Sequence, residues 1–409
     1  MTQPQAFSRM DRSFLGAWWW TVDRTMLGSV IALMICGLAL VATASPSVAQ
    51  TIGIPDPYYF LKKHIVFMVP SLLCIFCFSM MSPRLVWRVC SVLFLFIFIS
   101  LILVISVGDE VKGARRWLSV LGFNIQPSEF IKPVFAVVCA WLLSLYRKNL
   151  QREESYQPER ERYNLFTGLN MSILLYFLVL ALLISQPDLG MSVVLTIVFA
   201  IQIFLAGLRF RYLAIVMAIG AFGLGLAYAT LHHVRSRVDR FLNPESGDNY
   251  QVEKSLEAIR SGGVFGVGPG QGQQKETLPD AHADFIFSVL AEEMGMFFSF
   301  ILMGLFLYIL LRGFRRLRET HDVFSMLAAG GLLTMVGVQS LIHMGSSVNI
   351  LPAKGMTLPL ISYGGSSLLS MGMAFGMVLA LTRQKSKTSI AKTTVSMRRS
   401  ASTLNEKTK

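Results

Sequence analysis

The side chains able to do chemistry gather at the ends of long apolar stretches. Asp284 follows LPDAHA and opens such a stretch, with His282 and Lys275 just before it. Arg235, Arg237 and Arg240 begin the same polar segment, which runs from His232 to Glu293 and is the longest one bounded by apolar runs on both sides. A carboxylate among basic groups suits proton transfer beside an anionic substrate. An Asp here is equally an ordinary first-turn helix residue, and the pattern leaves both readings open. Glu129 and Lys132, in PSEFIKP, are three residues apart and share a helix face. They either neutralise one another or line a polar cavity between helices. Asp188, in QPDLG, follows a proline at a tight turn, where the helix dipole favours an acid. Lys354 sits in a short polar stretch, SSVNILPAKGMTL. Glu292 and Glu293 lie about two turns or more beyond Asp284, at ~1.5 Å per residue. Glu293 falls near the opposite helix face, so no catalytic pairing with Asp284 is expected.

Other chemistries fit less well. The run SGGVFGVGPGQGQ lacks the terminal Gly-Lys-Ser/Thr of a nucleotide loop. Its plain role is to supply positive-φ bends, and exposed amides holding a phosphate are the second reading. SYGGSS at 362–367 is not GxSxG, and Ser366 and Ser367 have no local base. The six histidines are scattered without zinc spacing. All five cysteines lie inside apolar stretches. Cys74 and Cys77 form a CxxC with no partner pair, which reads as core thiols without a disulfide framework.

The elements that must position these residues are membrane helices. The chain has 409 residues, 53% hydrophobic and only 15% charged, too apolar for an ordinary soluble protein. It reads as an all-α polytopic membrane protein with ten spans, at roughly 26–44, 59–81, 86–107, 127–146, 166–185, 189–206, 213–231, 284–311, 323–345 and 359–382. Residues 1–25 form a polar tail in which Trp18, Trp19 and Trp20 suggest an interfacial anchor. Residues 383–409 form a basic tail that is Ser/Thr/Lys-rich, a composition that resists folding. The net charge of +13 gathers in short loops and tails on one side, so it signals topology and not nucleic-acid binding. That side is the cytoplasm, with both termini inside and the large loop, 232–283, outside. Residues 108–126 and 346–358 read as two further structured outer loops. No internal repeat points to an inverted-repeat transporter.

GARRWL at 113–118, QPSEFIK at 126–132, QPDLG at 186–190, SGGVFGVGPGQGQQK at 261–275, LPDAHADFIFSVLAEEMG at 278–295 and LPAKGMTLPLISYGGSS at 351–367 together resemble the SEDS family (shape, elongation, division and sporulation). The likeness covers nearly all of residues 26–382. PAKG followed by TLPLISYGGSS is closer to the division member than to the elongation member, which usually has Thr where this chain has Lys354. The family commonly reads HTDF where this chain has His282-Ala283-Asp284-Phe285. The resemblance implies a bacterial inner-membrane glycosyltransferase that polymerises lipid II into peptidoglycan strands, with Asp284 catalytic and Glu129 and Lys132 lining the same cavity. Asp188 and Lys354 match motif positions of less defined role. It also implies a class B penicillin-binding transpeptidase as partner, docked on spans 8 and 9, together with other division-complex membrane proteins at the septum.

The chemistry then follows. The donor sugar carries a polyprenyl diphosphate, a good leaving group that needs charge neutralisation more than a proton, unlike the alcohol leaving in glycoside hydrolysis. Asp284 would take the proton of the acceptor 4-hydroxyl. Arg235, Arg237, Arg240, Lys132 or a divalent cation, Mg²⁺ or Mn²⁺, would stabilise the diphosphate, with Lys275 and His282 nearby. No organic cofactor is expected. A lipid II flippase and a scaffold for a septal transpeptidase are the alternatives. A flippase needs polar groups spread across the bilayer, and a scaffold is indifferent to Asp284→Asn.

Overall fold

The computed structural model describes residues 13–111, 114–120, 122–153, 162–208, 210–230, 232–243, 249–352 and 355–383. Residues 1–12 and 384–409 and Lys354 lie outside them. The helices are α1 (Phe14–Thr21), α2 (Arg24–Ile52), α3 (Tyr59–Met80), α4 (Pro83–Val107), α5 (Pro127–Glu153), α6 (Arg162–Ser185), α7 (Leu189–Leu205), α8 (Phe210–Thr230), α9 (His232–Leu242), α10 (Tyr250–Gly262), α11 (Ile286–Arg318), α12 (Val323–Ser347) and α13 (Gly365–Leu381). Between α4 and α5, β1 (Asp109–Val111), β2 (Ala114–Val120) and β3 (Phe123–Ile125) form an antiparallel sheet of order β1-β2-β3.

Among the described residues, eight helices are long and apolar enough to cross a membrane: α2, α3, α4, α5, α6, α8, α11 and α12. α7 and α13 are apolar but 17 residues each. Starts are fixed by short polar caps. Asp23 accepts from Met26 N–H at the head of α2, Ser82 caps α4 ahead of Pro83, and Asp322 caps α12.

α5 and α12 lie at the centre. The spanning window of α5 is 83% buried, against 12% for α8. α13 packs against α3, α12 against α5 and α7, and α11 against α2, α10 and α12, whereas α8 packs chiefly on α7. The outer helices leave large apolar side chains such as Phe96, Phe210 and Phe222 exposed, as a hydrocarbon solvent requires. Gln202 of α7 reaches through the centre. Its Nε2 donates to Ala136 O (2.6 Å) and Leu327 O (3.3 Å) and lies against Gly331, tying α5, α7 and α12 together.

Three expectations change. The chain is not all-α, because the 108–126 loop folds into the β1–β3 sheet, a short outer element that span-length apolar patterning does not report. The run beginning at Asp284 is not one uninterrupted helix: Gly295, at φ 80° and ψ 177°, breaks α11. Hydropathy reports composition and is blind to such a break. Trp18 is not an interfacial anchor. It is buried, and its indole N–H donates to Ser79 Oγ (3.1 Å), so α1 is packed onto the end of α3. Trp19 and Trp20 remain half-buried beneath the Arg24 guanidinium.

At that same basic end, Asp23 is buried and accepts from Arg312 Nε (2.8 Å) and Arg316 Nε (3.0 Å). Arg383 donates through Nε (2.9 Å) and Nη2 (2.8 Å) to Thr21 Oγ1 and through Nη1 to Met80 O (3.4 Å).

Candidate active site

The segment leading into α11 is held in a fixed shape by the irregular, turn-rich 356–364 stretch. Asp280, at φ 54°, turns the chain so that Ala283 and Asp284 N–H both donate to Asp280 O (2.9 and 3.0 Å). Ser362 Oγ donates to Ala283 O (2.6 Å) and accepts from Leu358 N–H (2.7 Å), while Tyr363 N–H donates to His282 O (2.9 Å). His282 is buried between the rings of Phe60 (4.3 Å) and Tyr363 (4.9 Å). Burial drives its pKa down to about 4 against the opposing pull of Asp280, so the imidazole is neutral at physiological pH. It is therefore held as a neutral ring between the two aromatic rings.

Asp284 is half-buried, and its Oδ2 lies 3.2 Å from where a Cβ on Gly355 would stand. Gly355 has φ +59°, so both the backbone bend and the close carboxylate exclude a larger residue there. The HADF and PAKG stretches, far apart in sequence, thus meet at the carboxylate. Lys354, next to Gly355 in the chain, lies outside the described residues.

Behind this meeting point runs a buried polar chain. Thr357 Oγ1 and Ser367 Oγ share a hydrogen bond (2.5 Å). Gln339 Nε2 donates to Thr357 O (3.0 Å), and its Oε1 accepts from Lys132 Nζ (2.7 Å). Lys132 also donates to Glu129 Oε2 (2.9 Å), and both are almost wholly buried. Ser370 Oγ donates to Glu129 O (2.7 Å). The structure shows the first sequence reading of Glu129 and Lys132: they neutralise one another, are too buried to line an open cavity, and the spare capacity of the ammonium holds the loop that carries Gly355. One turn from Gln339, His343 Nδ1 bonds Met356 O (2.6 Å). Gln339 went unnoticed in the sequence, and His343 stood there only as one ionisable residue at mid-depth, without a partner or role. The signal that would have found them is an i, i+4 polar pair on one face of an otherwise apolar helix.

Asp188 is the N-cap of α7. It accepts from Met191 N–H (3.4 Å) and from Ser128 Oγ (3.2 Å) at the start of α5. Gln126 N–H, two residues earlier, donates to Ser366 Oγ (3.0 Å), so the starts of α5, α7 and α13 are linked. Arg116 of β2 donates to Gln186 O (2.9 Å) and to Pro187 O, fastening the sheet onto this turn.

The remaining residues divide. Lys275 is buried, paired with Glu293 and donating to Thr43 O (3.1 Å). Glu292 accepts from Gln274 N–H (2.7 Å) and Lys275 N–H (3.0 Å). That ion pair anchors the loop to α2 and α11. Arg235 is exposed on α9, 3.6 Å from Asp239; α9, which also carries Arg237 and Arg240, packs chiefly on α8. The side chains of Arg237 and Arg240 lie outside what is described. Among the described residues no three His, Cys, Asp or Glu side chains converge as for a metal ion, and the five cysteines are free.

Comparison with known proteins gives the family. Residues 24–387 match the family profile described as "Cell cycle protein", that of FtsW, RodA and SpoVE. The chain is 41% identical over 380 residues to "Probable peptidoglycan glycosyltransferase FtsW" of Caulobacter vibrioides, covering 93% of this chain and 94% of that one. It is 32% identical to "Stage V sporulation protein E" of Bacillus subtilis over 88% of this chain and 97% of that one. Among solved structures it resembles a chain from a study of the structural coordination of polymerization and crosslinking by a peptidoglycan synthase complex (TM-score 0.71, 27% identity, 89% of this chain and 98% of that chain). It also resembles the rod shape determining protein RodA of Thermus thermophilus (TM-score 0.64, 27% identity, 90% and 99%). The chain belongs to the SEDS family, that of the FtsW, RodA and SpoVE cell cycle proteins, and within it is most like the FtsW members.

Proposed function

We propose that the chain is a peptidoglycan glycosyltransferase of cell division that polymerises lipid II, with Asp284 as the general base. The observation that carries this reading is the Asp284 carboxylate, half-buried against Gly355, where the HADF and PAKG segments meet. The peptidoglycan glycosyltransferase activity named for its relatives supports the reaction class.

In this reading α7 and α13 join the eight longer helices to make ten spans. The Arg-rich ends face the cytoplasm, and the Asp284 end faces outward at the height of the lipid head groups. Asp284 accepts the proton of the acceptor sugar's 4-hydroxyl as that oxygen bonds to the donor's anomeric carbon. The bond from that carbon to the diphosphate oxygen breaks, the polyprenyl diphosphate departs with the electron pair, and the configuration inverts. The buried Glu129–Lys132 pair, through Gln339 and Thr357, keeps the Gly355 loop at its distance from Asp284. Lys354, Arg235, Arg237 and Arg240 supply positive charge toward the diphosphate. Mg²⁺ or Mn²⁺ arriving with the diphosphate needs only one or two protein carboxylates. Asp284 meets that need, and the ion would neutralise leaving-group charge. Of the two helices expected to dock a class B transpeptidase at the division septum, α12 is central and mostly buried, so the partner would meet the exposed face of α11.

The test is glycan polymer on a gel from labelled lipid II, with the partner transpeptidase present and its active-site serine removed. Native protein should make polymer. Asp284→Asn and Asp284→Ala, folded by thermal melting, should lose at least about a hundredfold. Undiminished polymer from either variant eliminates Asp284 as the base. No polymer from any form would turn the reading toward lipid translocation or scaffolding.

A further inference from the structure

The glycine-rich run is neither a ligand loop nor a plain series of bends. Its backbone is stitched into the break in α11. Val267 N–H donates to Glu292 O (3.0 Å), Gly268 N–H to Glu293 O (2.9 Å), Met296 N–H to Gly263 O (3.0 Å) and Phe297 N–H to Val264 O (3.1 Å). These are groups that the non-helical Gly295 leaves without regular helical partners. The approach is so close that a Cβ on Gly266 would stand 2.2 Å from Glu293 O, and one on Gly295 2.4 Å from Gly266 N. The side chains left over point away from the protein. Phe265 is 78% exposed and Val264 62%, and they continue a surface of exposed Met296, Phe297, Phe300 and Ile301 on α11. Phe265 and Phe297 have ring centroids 6.3 Å apart.

Helix geometry fixes the depth of this surface. From Arg312, bonded to Asp23 at the basic end, to Glu293 is about 28 Å at the helical rise. From Asp23 to Thr43, along α2, is about 30 Å. Lys275 joins Glu293 to Thr43 O, so two separate helices put that ion pair at one height, roughly one hydrocarbon thickness above the basic end. Phe297 lies about 22 Å above Arg312, below the ion pair and just past the break at Gly295. Helix tilt lowers both. Irregular backbone survives at such depth only when its polar groups are satisfied within the protein, and the stitching supplies that.

We infer that residues 264–267 form a finger that penetrates the outer leaflet and is covered by lipid acyl chains. The loop leading to Asp284 is thereby pinned at head-group height, where a polyprenyl diphosphate lies. The inference rests on the membrane orientation proposed above but not on the transfer reaction.

The test is site-directed spin labelling of the full chain in lipid nanodiscs, with the native cysteines replaced by alanine. Labels replace Phe265, Phe300 as a lipid-facing reference, and Glu276 as an exposed loop reference. Collision with dissolved oxygen and with a water-soluble nickel chelate is measured at each. A label at 265 should follow 300, with oxygen accessibility several-fold above that of the chelate. If 300 behaves as lipid-facing while 265 follows 276, the finger lies in water and the inference fails. If neither reagent reaches 265, a second copy of the chain covers it, and the inference again fails. If 300 itself follows 276, the membrane reading of α11 falls first. Should the cysteine-free protein not fold, a benzophenone amino acid at 265 in the native chain replaces the label. Crosslinked lipid then supports the finger, and crosslinks confined to protein overturn it.

Discussion

Asp23 shows how one carboxylate can hold an end of the bundle. Burial pushes its pKa up, but the bonds from Arg312, Met26 N–H, Thr25 and Arg316 outweigh it, and the value falls to about 2 from 3.8. A depressed acid contributes stability above its unfolded pKa and loses it as pH falls through the folded value. The contribution, on the order of 2 kcal/mol, is therefore full at neutral pH and disappears between about pH 4 and pH 2. Asp23→Asn should lower the melting temperature in detergent at pH 7, with the gap to native protein narrowing toward pH 2. Glu129 and Lys132 make a stricter case. Glu129→Gln or Lys132→Met alone leaves a buried charge unpaired and should destabilise by roughly 3–5 kcal/mol. The double variant should lose much less than the sum, as denaturation of the four proteins would reveal. Asp284, His282 and the Glu129–Lys132 spacing were legible in the sequence because ionisable residues stand out against apolar runs. Asp23 and Gln339 were not, since their meaning lies in partners hundreds of positions away.

At the scale of elements, α10, the finger and the broken α11 form one unit held by absent side chains. A Cβ on Gly262 would stand 1.9 Å from Ala291 O, whereas one on Gly304 meets nothing. Gly262→Ala should push α10 off α11 and destabilise by about 1–3 kcal/mol. Gly304→Ala, in regular helix, should be neutral or stabilise by up to about 1 kcal/mol. Parallel melting curves decide it, and equal curves would remove the close-packing argument. The sequence announced positive-φ bends, and Gly263, Gly266, Gly268 and Gly270 have them. It could not announce the backbone contacts, because their other half lies in an apolar run whose composition passes unchanged through Gly295.

For the whole molecule, the apolar runs told which segments are helices, and the unusual length of the 232–283 loop told where to look. They did not tell that α5 and α12 are central and α8 peripheral, which follows from small residues and polar pairs meeting across helices. The distances along α2 and α11 match a bilayer core of about 30 Å. Polymerisation in nanodiscs should accordingly peak at that thickness and drop several-fold in lipids thinner than about 22 Å, where the finger would emerge into water. A flat dependence on chain length would contradict this. Arg383, finally, clasps Thr21 and the end of α3. The described chain therefore enters and leaves the bundle at one corner. Whatever is appended to either tail starts from the same doorstep, and a reader of one tail stands within reach of the other.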